Sequence, residues 1–360
     1  MFFRSFCDVL LQLVLQCDGA ERHEHEAQEV SGGLGRAMPG RLMVRRIAVL
    51  DDYQGVSRRL ADWDSLPDCE MVAFSDHLTR ESDLVARLAE FDIIVAMRER
   101  TPFPASLLQR LPKLRLLVTT GSRNSALDVG AAQALGVVVC GTGGLGYPTS
   151  ELTWALILAH MRQIPAEDSA IRQGRWQTTL GRGLNGKSIG IIGLGKKGTE
   201  IAGYAKAFGM EILAWSPNMT DERAAAAGGR RLPLHDLLRQ SDIVTIHLVL
   251  GPTTRGLIGA EEFACMKPDA IIVNTSRGPI IQQESLVAAL AQKQIAGAAL
   301  DVFEDEPLRP DHPLVSAPNT VLTPHLGYVT EEGYRVFFGD AVEDIAAFLK
   351  GTPVRVLRAG

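Results

Sequence analysis

The chain has 360 residues, of which 46% are hydrophobic and 22% are charged, and its formal net charge at pH 7 is −5. This length predicts two domains, because a single hydrophobic core usually stops growing below this size. No apolar run approaches the ~20 residues of a spanning helix, and no block of Lys or Arg occurs, so we expect neither a membrane nor a nucleic-acid partner. The five scattered cysteines form no C-x-x-C pair, which predicts a cytoplasmic protein without disulfides or a metal site.

Residues 1–42 differ in character from the rest of the chain. Their short apolar stretch contains Asp8 and has no small-x-small cleavage site near Cys17, so it fits a signal peptide poorly. The "HEHE" at 23–26 could bind a metal ion but is more typical of a solvated tail. We predict a disordered extension, with the folded protein beginning near Met43.

Five apolar, β-type runs follow between residues 46 and 140, with amphipathic segments between them: "RIAVL", "EMVAF", "DIIVAM", "LRLLVTT" and "GVVVC". This alternation predicts a parallel α/β sheet. The first run ends in Asp51 and Asp52 rather than in glycines, so this half lacks a phosphate-binding turn. The acidic pair is also found in receiver domains, but the chain is far longer than such a module.

A helix is predicted from Ser150, as its cap, to Ile164, with Pro165 as its stop, and it would join the two domains. Six further β-type runs follow, the number of a complete dinucleotide-binding sheet: "KSIGIIGLG", "EILAWS", "DIVTIHLVL", "AIIVNTSRG", "IAGAALDVF" and "NTVLTPH". An amphipathic segment at 331–349 closes the chain.

The turn "GLGKKG" lies between a β-type run and a helical segment, which is the context of a dinucleotide site. There Gly193 would permit the tight turn, Gly195 the approach of a pyrophosphate, and Gly198 close packing of helix on strand. The phosphates would lie at the helix N-terminus. Lys196 and Lys197 would add positive charge beside them, or would be ordinary lysines of an exposed helix.

Ser216, in "LAWSPN", stands where such folds usually have an acidic side chain that binds the adenosine ribose. Without that acid, a 2′-phosphate is not repelled. We therefore predict that the cofactor is NAD and that NADP is tolerated or even preferred, with Arg223 as a further source of positive charge.

Three chemically useful residues follow strands of the second series: Arg277, Glu306 and His325. Because ligands lie beyond the carboxyl ends of parallel strands, these side chains are expected to converge. A histidine can exchange a proton with a hydroxyl or carbonyl oxygen, a carboxylate can orient the imidazole, and a guanidinium can hold a substrate carboxylate. Each residue alone could be an ordinary turn or loop residue, but their combination behind one dinucleotide turn favours catalysis.

Four segments, in this order, carry a resemblance to a known family: "GLGKKG", "NTSRGPI", "GAALDVFEDEPL" and "LTPHLGY". From about Arg46 to the C-terminus the chain resembles the NAD-dependent D-isomer-specific 2-hydroxyacid dehydrogenases. The resemblance implies that Arg277 binds the substrate's carboxylate and carbonyl, that Glu306 supports the histidine, and that His325 is the acid/base. It also implies three residues around the nicotinamide end of the cofactor: Thr275, Ser276 and Asp301.

The same resemblance implies a Rossmann-type cofactor domain at 148–328, inserted into a flavodoxin-like substrate domain formed by 43–147 and 329–360. Both domains would be doubly wound parallel α/β sheets, with the substrate in the cleft between them. A homodimer is also implied. In the first domain, Arg98 and Arg100 would either bind a distal acidic group of the substrate or form a solvated loop. The backbone of Gly121, Ser122 and Arg123 would hold the substrate's carboxylate, although typical members have a glycine where Arg123 stands.

The function predicted is hydride transfer between a nicotinamide cofactor and a small D-2-hydroxy acid/2-keto acid pair, with reduction as the favoured direction. The alternative is a cofactor-sensing scaffold like the co-repressors that share this fold. The lack of a long interaction tail disfavours it. A formate dehydrogenase is disfavoured by Glu306, because that branch has glutamine there. His247 could compete for the acid/base role, but no carboxylate motif accompanies it, so we interpret it as structural.

Overall fold

The computed structural model describes residues 44–359. The predictions made for residues 1–42 lie outside the described residues. Between residues 44 and 359, no helix combines the length and the apolarity that a transmembrane span needs.

The described chain contains two parallel sheets. Their strands are β1 Arg45–Val49, β2 Cys69–Ala73, β3 Ile93–Ala96, β4 Leu116–Thr119, β5 Val138–Gly141, β6 Ser188–Ile192, β7 Glu211–Trp215, β8 Arg230–Arg231, β9 Ile243–Ile246, β10 Ile271–Asn274, β11 Gly297–Leu300 and β12 Thr320–Leu322. The helices are α1 Ser57–Leu60, α2 Glu81–Leu88, α3 Ala105–Leu108, α4 Val129–Ala134, α5 Pro148–Met161, α6 Ile164–Arg172, α7 Lys196–Ala207, α8 Asp221–Ala226, α9 Leu234–Gln240, α10 Ala260–Cys265, α11 Gln283–Ala291, α12 Pro313–Ser316 and α13 Glu331–Leu349.

The first sheet has the order β2-β1-β3-β4-β5, which is the flavodoxin-like order, and all of its strands are parallel. Strands β3 and β4 are buried along their whole length, as expected of a sheet covered on both faces. The five predicted β-type runs are confirmed. The last helix, α13, returns to this sheet and packs Phe337 and Phe338 into the same core as Ile47 and Val118.

The second sheet has the order β12-β11-β10-β9-β6-β7-β8, again with parallel pairing throughout. This is the Rossmann order with one added strand, and the order reverses between β6 and β9. The doubly wound α/β fold class is confirmed. The sheet has seven strands where six runs were predicted, because β8 consists of two exposed arginines that no apolar pattern marks. The domain bounds at 147/148 and 328/329 stay a prediction.

The predicted helix at 150–164 is correct in place but wrong at both ends. Helix α5 begins at Pro148, which suits the first turn of a helix because it needs no N–H donor there. Ser150 lies inside that turn, and its hydroxyl donates to Glu200 instead of capping. The helix ends at Met161, and Pro165 lies in the first turn of α6.

Candidate active site

The glycine-rich turn connects β6 to α7 at the point where the strand order reverses. Gly193 has φ of 103°, and a Cβ there would lie 2.6 Å from the carbonyl oxygen of His247. A Cβ on Gly198 would lie 2.1 Å from the carbonyl oxygen of Gly193. At Gly195, by contrast, no heavy atom lies within 4 Å of the Cβ position, so the turn is open on that side. The turn therefore fits a dinucleotide: two glycines are required by packing, and the third leaves room at the N-terminus of α7.

Lys196 and Lys197 begin α7 and reach back to the segment before α5. The ammonium group of Lys197 donates to the carbonyl oxygen of Gly146 at 2.9 Å. Burial lowers the pKa of Lys197, against the opposing effect of Glu200. The side chain of Lys196 also lies against Gly146. Their predicted contact with the cofactor stays a prediction.

Ser216 lies just after β7 and contacts the glycine-rich turn directly. Its hydroxyl oxygen accepts the N–H of Leu194 at 2.9 Å. On the other side of that residue, the guanidinium of Arg223 donates to the carbonyl oxygen of Leu194 at 3.1 Å. The edge where an acidic side chain is usual therefore has a hydroxyl and a cation.

Glu306 and His325 form the hydrogen-bonded pair that the sequence predicts. His325 Nδ1 lies 2.6 Å from Glu306 Oε2, and Glu306 Oε1 accepts the N–H of Phe303 at 3.0 Å. Burial tends to raise the pKa of Glu306, but the hydrogen bond and charge of His325 outweigh it, so this pKa lies below its ordinary value. The carboxylate thus remains ionised and fixes the direction of the imidazole.

Asp301 holds the backbone on which His325 stands. Its Oδ1 accepts the N–H of Leu326 and the hydroxyl of Thr323, both at 2.7 Å, and its Oδ2 accepts the N–H of Gly327 at 2.9 Å. Asp301 is fully buried, and burial raises its pKa. Within this loop His325 adopts φ of 55°, a left-handed conformation that a non-glycine residue keeps only where its surroundings fix it. No pattern in the sequence indicated this second role of Asp301.

The hydroxyl groups of Thr275 and Ser276 follow β10 and are both bonded within the protein. Thr275 Oγ1 lies 2.7 Å from Thr153 Oγ1, and the hydroxyl of Ser276 donates to the carbonyl oxygen of Leu248. These contacts tie the end of β10 to α5 and to the segment after β9. Contact with a cofactor stays a prediction for both residues.

Arg277 points into the cleft between the two sheets, where it meets a carboxylate. Its Nη1 donates to the carbonyl oxygen of Ser276 at 2.8 Å, and its Nη2 donates to Glu99 Oε1 at 3.2 Å. Glu99 lies in the loop after β3, and we did not single it out from the sequence. Its position between Arg98 and Arg100 in "MRERT" was the available signal.

Arg98 and Arg100 lie at the same cleft, on either side of Glu99. The guanidinium of Arg100 donates from Nε to Tyr328 Oη at 2.6 Å and from Nη2 to the carbonyl oxygen of His325 at 3.4 Å. Arg98 Nη1 donates to the carbonyl oxygen of Thr120 at 3.3 Å. Arg100 is thus engaged with the histidine loop, and binding of a distal acidic group by either arginine stays a prediction.

The loop at 121–123 also faces this region. The N–H of Gly121 donates to Thr142 Oγ1 at 2.7 Å, and the guanidinium of Arg98 lies against Gly121 where a Cβ would stand. Ser122 and Arg123 are exposed. The predicted capture of a substrate carboxylate by these amides is untested.

His247 does not join the catalytic pair. Its Nε2 lies 2.9 Å from Thr245 Oγ1, and burial lowers the pKa of the imidazole to about 3. It is therefore neutral near pH 7. Among residues 44–359 no group of three His, Cys, Asp or Glu side chains is placed to hold a metal ion.

Comparison with known proteins agrees with the family resemblance found in the sequence. The profile of the D-isomer specific 2-hydroxyacid dehydrogenase NAD binding domain matches residues 154–327. The glyoxylate reductase of Aeropyrum pernix is 42% identical over 255 residues, which cover 68% of this chain and 76% of that protein. The chain belongs to the D-isomer-specific 2-hydroxyacid dehydrogenase family.

Other members of the family align with this chain over most of its length. The hydroxypyruvate reductase of Blautia hydrogenotrophica is 31% identical over 87% of this chain and 99% of its own length. The crystal structure of the phosphoglycerate oxidoreductase of Vibrio cholerae o395 superimposes with a TM-score of 0.82 at 36% identity, covering 85% of this chain and 99% of that one. The D-3-phosphoglycerate dehydrogenase of Archaeoglobus fulgidus is 37% identical, but the chain spans about half, 53%, of its length.

Family membership establishes the general reaction. The chain is an NAD-dependent oxidoreductase that transfers a hydride between the cofactor and a D-2-hydroxy acid/2-keto acid pair. The prediction of an enzyme of this class is confirmed, and nothing in these relatives supports the co-repressor alternative.

Proposed function

We propose that this chain reduces a small 2-keto acid to the D-2-hydroxy acid, with His325 as the group that protonates the carbonyl oxygen. The observation that carries the proposal is the 2.6 Å contact between His325 Nδ1 and Glu306 Oε2. It leaves Nε2 as the ring nitrogen that exchanges a proton with substrate. The bound cofactor supplies the hydride, and the residues described here supply the proton and the orientation of the substrate.

Glu306 makes His325 effective as an acid. An ionised carboxylate at Nδ1 stabilises the imidazolium, so a proton is present at Nε2 when the carbonyl oxygen gains negative charge. Asp301 keeps the loop of His325 in place through its contacts with Leu326 and Gly327. The acid is thereby fixed in direction before substrate binds.

Arg277 is proposed to bind the substrate. A guanidinium can hold a carboxylate by two parallel hydrogen bonds and can also stabilise the charge that develops on an adjacent carbonyl oxygen. The proposal is supported by the donation of Arg277 Nη2 to the carboxylate of Glu99 in the cleft. The amides of 121–123 would assist, as the resemblance implies.

The substrate that we propose is glyoxylate or hydroxypyruvate. Both names occur among the relatives that match most of their own length, a glyoxylate reductase and a hydroxypyruvate reductase. The crowding of Arg98, Arg100 and Tyr328 around His325 also favours a short substrate.

NADP is proposed as an alternative cofactor to NAD. Ser216 lacks the negative charge that repels a 2′-phosphate. Arg223 lies close by, because it donates to the carbonyl oxygen of Leu194, the residue whose N–H donates to Ser216. Lys196 and Lys197 would contribute charge at the pyrophosphate.

The chain is also proposed to act as a cytoplasmic homodimer through the exposed segment at 164–180. Four apolar side chains there are exposed to solvent by half or more: Ile164, Ile171, Trp176 and Leu180. Apolar side chains grouped on a surface in this way mark a contact with another protein. A second copy of the chain is the partner that the resemblance implies.

The test of the proposed reaction is reduction of a panel of keto acids by NADH and by NADPH. The panel contains glyoxylate, hydroxypyruvate, pyruvate and phenylpyruvate. We expect turnover of at least one, and we expect His325→Ala to lower kcat by about 10²-fold or more while cofactor affinity changes little. His235→Ala is the matched control, because His235 pairs with Glu262 on the surface. Absence of turnover with every keto acid would refute the proposed function, and full activity of His325→Ala would refute the role of the histidine.

A further inference from the structure

Glu99 and Arg277 form an ion pair across the cleft. Glu99 belongs to the loop after β3 in the first sheet, and Arg277 follows β10 in the second; Arg277 Nη2 lies 3.2 Å from Glu99 Oε1. The other carboxylate oxygen of Glu99 lies 3.7 Å from Arg98 Nη2. A carboxylate of the protein thus lies where the substrate carboxylate is proposed to bind.

The backbone beside Glu99 is held in place by the neighbouring loop. The N–H of Arg98 donates to Thr120 Oγ1 at 2.9 Å, and its carbonyl oxygen accepts the side-chain amide of Asn124 at 2.5 Å. Arg98 itself has φ of 52°. The N–H and the carbonyl oxygen of Arg98 both form hydrogen bonds with this loop, so the backbone that carries Glu99 is held in position. From there the Glu99 side chain extends into the cleft to Arg277.

Charged side chains of both signs meet in this cleft. They include the cations Arg98, Arg100 and Arg277 and the carboxylates Glu99 and Glu306. A substrate with a second anionic group would bring a further negative charge close to the Glu99 carboxylate. The side chains of Glu99 and Arg277 are 23% and 37% exposed, so water reaches the pair but screens it incompletely.

We propose that Glu99 is a specificity-determining residue that selects 2-keto acids with a single negative charge and rejects those with a second anionic group near the keto carbon. The substrate's carboxylate replaces Glu99 on Arg277, and the Glu99 carboxylate remains beside Arg98. There it repels any further anion that enters with the substrate. This inference rests on the proposed reduction of 2-keto acids.

Two substrates of the same shape and different charge provide the test. Oxaloacetate and 4-methyl-2-oxopentanoate have the same arrangement of non-hydrogen atoms, but the distal group is a carboxylate in the first and two methyl groups in the second. The measurement is the ratio of kcat/KM for the uncharged distal group to kcat/KM for the charged one. Where turnover is too slow, the inhibition constants of the two compounds against glyoxylate reduction are used. The inhibition constant of oxaloacetate is then divided by that of 4-methyl-2-oxopentanoate, so that the ratio changes in the same direction. Both are measured for the wild type, Glu99→Gln, Glu99→Asp and the control Glu90→Gln, whose surface carboxylate pairs with Lys113.

We expect Glu99→Gln to lower this ratio about tenfold, the effect of removing one incompletely screened charge. Glu99→Asp keeps the charge and should stay near the wild-type ratio, and Glu90→Gln should equal the wild type. A purely structural role for the ion pair would alter both substrates alike and leave the ratio unchanged, which would overturn the inference while the proposed function stands. Failure of the wild type to reduce any keto acid would instead overturn the proposed function.

Discussion

Glu306 accepts at both carboxylate oxygens, and one of them lies 2.6 Å from Nδ1 of His325 while the other accepts the N–H of Phe303. The Phe303 contact fixes the carboxylate to the backbone of the loop that follows β11. The His325 contact then fixes the imidazole to the carboxylate. The direction of the proposed acid is therefore set by hydrogen bonds that begin at the backbone N–H of Phe303.

Glu306→Gln is expected to lower kcat for reduction by about 10²-fold, the lower end of what a positioned acid contributes. The glutamine oxygen can still accept from Phe303, but its amide would donate to Nδ1 and leave a neutral imidazole at neutral pH. Activity should therefore recover partly as the pH falls, whereas the wild type should not gain in the same way. The measurement is kcat as a function of pH.

The control for this variant is Glu304→Gln. Glu304 lies two residues away and pairs with Arg255 at 3.1 Å, with both side chains about half exposed. Its replacement should leave the pH profile unchanged. A Glu306→Gln enzyme with the wild-type profile would contradict the assignment of Glu306.

The sequence predicted the elements whose signal is local and missed contacts made between distant segments. Arg277, Glu306 and His325 follow apolar runs that are recognisable as the strands β10, β11 and β12. They could therefore be placed at one edge of a sheet. The pairing of Arg277 with Glu99 joins residues separated by 178 positions, and its geometry depends on how the two sheets face each other. No pattern in either segment encodes that distance.

The ends of helix α5 could not be predicted from the sequence either. Ser150 has the side chain of a helix cap, but Pro148 starts α5 earlier and the serine hydroxyl bonds Glu200 instead. The polar residue was recognised, and its partner was not, because the partner lies on α7. Strand β8 was missed because its two exposed arginines have no apolar pattern. It is a strand because it pairs with β7 in the folded sheet.

Ser216→Asp is expected to lower the affinity for NADPH by about tenfold or more relative to NADH, because the new carboxylate would repel a 2′-phosphate and accept from the ribose. The aspartate can still accept the N–H of Leu194, so the turn should keep its shape. The measurement is the ratio of kcat/KM values for the two cofactors.

Ser216→Ala separates charge from the loss of the hydroxyl. It removes the contact with Leu194 without adding a carboxylate, and it should alter both cofactors similarly. An unchanged NADPH/NADH ratio in Ser216→Asp would show that the adenosine ribose is recognised elsewhere.

Leu180→Glu should convert the proposed dimer into a monomer. Leu180 is 94% exposed in the described chain, and burying a charge at a contact between two copies is costly. Sedimentation velocity of the wild type and the variant measures the change directly. Leu135→Glu is the control, because Leu135 is also partly exposed, at 45%, but follows helix α4, which precedes β5 of the first sheet. A wild type that sediments as a monomer would contradict the proposed assembly.

Asp344 makes the stability of the fold depend on pH near neutrality. It is fully buried on α13, its Oδ1 accepts from Arg355 Nε at 2.9 Å, and within residues 44–359 its Oδ2 has no hydrogen-bond partner. Burial raises the pKa of Asp344 from 3.8 to about 7; Arg355 opposes this shift, and Asp340 and Glu343 add to it. The folded chain therefore keeps a proton that the unfolded chain releases.

The sign of the effect follows from this difference in bound protons. Between about pH 4 and pH 7 the folded state binds more protons at this position than the unfolded state, so its contribution to the free energy of unfolding falls as the pH rises. In Asp344→Asn the group cannot ionise. We expect the free energy of unfolding of the wild type, relative to Asp344→Asn, to be greatest near pH 4 and to decline towards pH 7.

Urea unfolding of both proteins at several pH values between 4 and 8 measures this difference. Asp311→Asn serves as the control, because Asp311 is exposed and pairs with Arg309 at the surface, at 3.4 Å. Its difference from the wild type should vary little over the same range. Parallel curves for the wild type and Asp344→Asn would mean that Asp344 is ionised in the folded protein throughout, with Arg355 as sufficient compensation for its burial.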